Sequence, residues 1–129
     1  MFAALLSLLF AQIGAAPVVG EHFKGQCLYP DAVLERAQDT TLVTCGEVDV
    51  APDSLTFALR GWEPSIRFHG EWDGDRLTVT HIARRGRDEA EEARGLCQLY
   101  FANDKLSTIA CTAVAGGRSY AANFVVSRI

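Results

Sequence analysis

Three histidines, sixteen carboxylates and a scatter of hydroxyls are the side chains of this sequence with catalytic potential. His22, His69 and His81 lie far apart, and none belongs to a nucleophile or metalloprotease pattern such as G-x-S-x-G, S-x-x-K or H-E-x-x-H. A general base works only within hydrogen-bond reach of the proton it moves, so each histidine needs the fold to bring it a second group. Strand parity sends His69 to the polar face and His81 to the apolar face. The two are thereby separated, and His81 with a nearby carboxylate is the one centre around which an enzyme could form. The glycine pair Gly116-Gly117 precedes a strand pattern and not a helix, so it does not cradle a phosphate. No residue pattern calls for a cofactor.

Binding chemistry has more material. Trp62 lies between two strand patterns in Arg60-Gly61-Trp62-Glu63-Pro64, where an aromatic ring offers a large contact area at small entropic cost to a protein or a saccharide. Arg84, Arg85 and Arg87 form a basic cluster, and Arg118 follows a second loop signal. Asp88, Glu89, Glu91 and Glu92 follow the cluster at once and oppose a polyanionic partner. The net charge is −4, which supplies no general attraction for nucleic acid or anionic lipid.

The cysteines point to a compartment. Cys27, Cys45, Cys97 and Cys111 are even in number in a short chain and include neither a CxxC nor a Cys/His cluster at zinc spacing, which favours disulfides over metal. Residues 1–15 contain twelve apolar residues and no charge, then small residues near a cut after Ala15. That stretch is too short to span a bilayer and fits a cleaved secretory signal. The expectation is an exported protein, periplasmic or secreted, without stable membrane insertion, whose residues 16–129 form one disulfide-stapled domain.

Period-two alternation fills most of that domain. Asp73-Gly74 predicts a two-residue hairpin turn that sets Phe68 against Val79, Gly70 against Leu77, Ile66 against His81 and Glu71 against Arg76. Gly116-Gly117 predicts a second, with Cys111 facing Ala122, Ile109 facing Phe124 and Ala113 facing Tyr120. A three-residue loop Asn103-Asp104-Lys105 matches Leu99 with Ile109, Phe101 with Ser107 and Cys97 with Cys111. The last match predicts a Cys97–Cys111 disulfide and leaves Cys27 for Cys45. Pro30, Asp31, Val33, Leu34 and Ala37 describe one short amphipathic helix near the N-terminus inside that second bridge. Residues 88–94 read as a charged loop or one more helical turn. The fold class is all-β with that one helix: a small antiparallel meander of about seven or eight strands, closed as a barrel or sandwich. Phe57, Phe68, Phe101, Tyr120 and Phe124 are assigned to its interior and Trp72 to the core.

Ala115-Gly116-Gly117-Arg118-Ser119-Tyr120 resembles the inhibitory loop of the exported bacterial inhibitors of c-type lysozyme, with Ala115 at the position of a serine and no downstream lysine. An exported, bridged β-meander is also similar to the small barrels bacteria export as protease inhibitors, and more loosely to lipocalin-type barrels. These likenesses imply a non-enzymatic binding or inhibitor-like module acting through loops 61–64, 84–94 and 115–118 on an envelope or extracellular protein or saccharide. They fix no residue's role. Two other readings compete with it. One is a carrier holding a small apolar ligand inside the barrel. The other is the enzyme centred on His81.

Overall fold

A computed structural model describes residues 18–36, 39–59, 64–85 and 89–127. The signal segment, Trp62 and Arg87 lie outside the described residues. The strands are β1 (His22–Cys27), β2 (Thr40–Leu42), β3 (Glu47–Ala51), β4 (Ser54–Ala58), β5 (Pro64–Asp73), β6 (Arg76–Arg84), β7 (Glu91–Ala102), β8 (Lys105–Ala115) and β9 (Arg118–Val126), with one helix, α1 (Asp31–Arg36). From β3 to β9 every strand pairs antiparallel with the next. β1 then closes the sheet, pairing with β3 through His22–Lys24 and with β9 through Gly25–Cys27. The result is a closed, eight-stranded antiparallel barrel with β2 as an accessory strand.

The closure has an unusual construction. β2 runs parallel to β9, and so does β3, since β1 is antiparallel to both of its neighbours. β2 and β3 therefore run in one direction beside β9, and β1 enters from the other end as a wedge between β3 and β9. At the fork the Cys27–Cys45 disulfide ties the tip of the wedge to the strand it displaces. Cys27 N–H donates to the Cys45 carbonyl at 3.0 Å and Gly25 N–H to that of Gly46 at 3.0 Å. The Tyr29 hydroxyl reaches the carbonyls of Val43 (2.7 Å) and Ala121 (3.1 Å), satisfying backbone groups where the ladder divides.

Alternation places one face of each strand inside. Phe57, Phe68 and Phe124 have no solvent exposure, and the Phe57 ring lies 5.8 Å from Phe68, edge-on, and 6.3 Å from Phe124. Leu55, Leu77, Ile82, Leu99 and Ile109 complete the filling, and the Cys97–Cys111 disulfide lies among them, its cysteines directly opposed on β7 and β8. Tyr120 is buried, while Phe101 and Trp72 pack half-buried against the core. Trp72 Nε1–H donates to the Ala51 carbonyl at 2.9 Å, which accounts for an indole at the core's edge.

The β8–β9 hairpin has the expected register, Gly116 and Gly117 both adopting positive φ. The β5–β6 hairpin differs. Asp73 pairs with Arg76, so the turn is Gly74-Asp75, one residue later than expected, with Gly74 at φ 65°. Gly70 faces Val79 and Trp72 faces Leu77, a slip of two that preserves parity. A bulge at Thr80 then adds a third residue, so Phe68 faces Ile82, Ile66 faces Arg84 and His69 faces His81. Parity is thereby reversed beyond Thr80: Ile82 is buried and His81 exposed.

At β7–β8 the turn is the two-residue Asn103-Asp104, both at positive φ, and Phe101 faces Leu106. A bulge at Ser107 restores the expected pairing from Leu99 to Cys97. Residues Glu91–Arg94 are strand and not a helical turn. α1 is six residues long and leaves Val33 and Leu34 exposed, so its apolar side does not pack on the core as expected. Among the described residues no helix is long and apolar enough to cross a membrane.

Candidate functional site

Strand directions sort the connections by length. One end of the barrel, the lower, carries the two-residue turns Pro52-Asp53, Gly74-Asp75 and Asn103-Asp104. The upper end carries α1, β2, the course from Val43 to Gly46, the connections 59–63 and 85–90, and the Gly116-Gly117 turn. The topology thus brings Arg84, Arg85 and Arg118 to one rim, although they are spread over 35 positions of sequence; Trp62 and Arg87 lie outside the described residues.

The described arginines are not equivalent there. Arg84 grips Glu91, its Nη2 at 2.6 Å and Nε at 3.0 Å from the same carboxylate oxygen, and its guanidinium lies 5.4 Å from the centroid of the Tyr120 ring. Glu91 in turn reaches the Gly116 turn, where a Cβ would lie 3.3 Å from its other oxygen. Arg84 therefore latches β6, β7 and the β8–β9 turn over the top of the core. A cation held by a carboxylate and a ring face has little left for a partner. Arg85 is exposed, and its N–H donates to the Ser65 carbonyl at 3.2 Å, fixing the base of the 85–90 connection to β5. Arg118 is exposed at the start of β9. Tyr120 is 3% exposed, and its hydroxyl has no hydrogen-bond partner.

The histidines fall on the outer wall. His22 sits between two β3 carboxylates, Nδ1 at 2.6 Å from Asp49 and Nε2 at 3.2 Å from Glu47, and the Asp49 hydrogen bond leads in holding its pKa above the ordinary imidazole value. His69 and His81 are directly opposed on β5 and β6, and His81 also faces Glu92 on β7. Burial depresses the His69 pKa first, with Arg67 and His81 adding to the effect and Asp53 opposing it. This corrects the assignment of His81 to the core and the separation of the two histidines. The bulge at Thr80 is responsible; its mark in the sequence is on the partner strand, where Gly70 stands beside the shift and a Cβ would run into the Thr78 carbonyl. Likewise the sequence grouped Glu91 with an acidic run. Only the β6–β7 pairing shows it to be the partner of Arg84.

The one hydroxyl bonded to His81 among the described residues is that of Thr80, 3.0 Å from Nδ1, and among the same residues no group of three or more His, Cys, Asp or Glu is placed to hold a metal ion. Comparison of the chain with protein-family models, with curated proteins and with solved structures gave no match.

Proposed function

We propose that the protein is an exported, non-enzymatic binding or inhibitor-like module that engages its partner with the loops of the upper rim. The observation that carries this is the contrast between a barrel interior filled with side chains and an upper end where every long connection converges. A rigid scaffold with functional loops at one end is a recurrent arrangement for recognition. Arg85 and Arg118 supply exposed positive charge there, which suits an acidic protein or saccharide of the envelope or extracellular space. Trp62 falls in the sequence between β4 and β5, and this reading takes it as the aromatic anchor. Two disulfides fit an oxidising compartment.

The packed interior weighs against a small-molecule carrier, and the placement of His81 on the open wall weighs against an enzyme built around it. The test is capture from the envelope fraction of the exporting cell by immobilised protein, followed by affinity measurement on the partner retained. Trp62→Ala and the pair Arg85→Ala/Arg118→Ala should each weaken binding roughly thirtyfold, the effect of losing a hot spot of ~2 kcal/mol. Asn103→Gly, at the lower end, should leave it unchanged. Binding lost through the lower end, or indifferent to all the rim variants, overturns the proposal.

A further inference from the structure

The geometry points to a divalent transition-metal site on the outer wall of the barrel, formed by the imidazoles of His69 and His81. Directly opposed residues in an antiparallel pair share a face, with Cβ atoms ~5 Å apart, so two imidazoles in that position can converge on one ion. Imidazole nitrogen is a preferred ligand for zinc, nickel and copper.

The bulge residue organises one of these ligands. The Thr80 hydroxyl lies 3.5 Å from the His69 carbonyl and 3.0 Å from His81 Nδ1. With His81 as its Nδ1–H tautomer, the hydroxyl oxygen accepts from Nδ1–H and the hydroxyl proton is left facing the His69 carbonyl. The neutral ring then carries its free lone pair on Nε2, the tautomer a metal needs. A metal-bound histidine is commonly fixed through its other nitrogen in this way. Thr80, His81, Glu92 and Arg94, with Ala115 and Gly116, line an open groove of about 550 Å³ that gives a hydrated ion access to the His81 ring, while His69 approaches from β5, outside that groove.

The surrounding charges are mixed. Glu92 faces His81 and Asp53 acts on His69 as carboxylates favouring a cation, while Arg67 and Arg94 oppose it. Among the described residues no third His, Cys, Asp or Glu joins the two imidazoles around one point, so the site is written with two protein ligands and water in the remaining positions. All four cysteines are in disulfides and offer no competing thiolate.

The experiment titrates Zn²⁺ alone into the oxidised, tag-free protein above the imidazole range, following heat and the imidazole NMR signals. One equivalent should bind with shifts at His81 Nε2 and at His69. His69→Asn and His81→Asn should each remove saturable binding, and Thr80→Val should weaken it roughly tenfold while both ligands remain. His22→Asn should leave it intact, and unchanged thermal unfolding of the apo variants shows that the fold survives. Absence of saturable binding to the parent protein overturns the site, as does binding that survives both single histidine variants or is lost with His22→Asn.

Discussion

A titrating side chain at a weak point of the structure has consequences beyond its own contacts, and His22 is such a residue. It lies against Asp49 and Glu47 at the first residue of the wedge strand, where β1 and β3 share three residue pairs. Its pKa is raised in the folded state, so the folded protein holds that proton more tightly than the unfolded chain. The stabilisation is present in full below the unfolded value of ~6.5 and is lost as pH rises through the folded value. Half-exposed pairs are screened, so the effect is about 0.2–1 kcal/mol. The denaturant midpoint of the parent should fall between mildly acidic and mildly alkaline pH, and His22→Gln should flatten that portion of the profile. An unchanged profile in His22→Gln places the titration elsewhere.

At the level of strands, the Cys27–Cys45 bridge and the Cys97–Cys111 bridge do different work. The second joins directly opposed cysteines of adjacent, long strands that already hold each other. The first closes the barrel at the fork where β1 separates β3 from β9, with three residue pairs on each side of the wedge. Removing it by Cys27→Ser with Cys45→Ser should cost about 3 kcal/mol. Amide exchange should then accelerate selectively in 22–27 and 40–46 while β7 and β8 keep their protection. Uniform acceleration across all strands would show that the wedge has no stability of its own to lose.

Sequence patterning reached this level unevenly. The Gly116-Gly117 hairpin was legible because both glycines are required at positive φ and no bulge follows. Cys97 and Cys111 were legible because a two-residue turn and the bulge at Ser107 together equal the three-residue loop that parity demands. The β5–β6 pairing was not, because Thr80 inserts a residue with no glycine or proline in its own strand, and Gly70, beside the shift on the partner strand, does not say where the extra residue falls. A single hidden insertion reverses every side chain beyond it, and His81 is the functional casualty. The wedge was equally out of reach. Its strands β1 and β2 are six and three residues long, and their partners lie up to about a hundred residues away. Val33 and Leu34 show the same weakness, since helical spacing gave α1 an apolar side but not a surface to cover it.

For the molecule as a whole, the decisive property is what occupies the barrel. Eight strands leave an interior just wide enough to be filled by side chains or to hold one small ligand. Here Phe57 occupies its centre, in contact geometry with two other phenylalanine rings and without solvent exposure. A loop-presenting scaffold needs such an interior to be rigid, whereas a carrier needs it empty. Truncating Phe57→Ala removes that ring from between Phe68 and Phe124 and should cost about 3–5 kcal/mol, the transfer of the side chain plus the void it leaves. An apolar void of this size stays dry and admits benzene or xenon. Benzene should therefore raise the melting temperature of Phe57→Ala, since a ligand that binds only the folded state stabilises it, and should leave the parent unchanged. A parent protein stabilised as much as the variant, or one that yields a bound lipid from its interior on native mass spectrometry, would return the barrel to the carriers and remove the rigid core on which rim recognition depends.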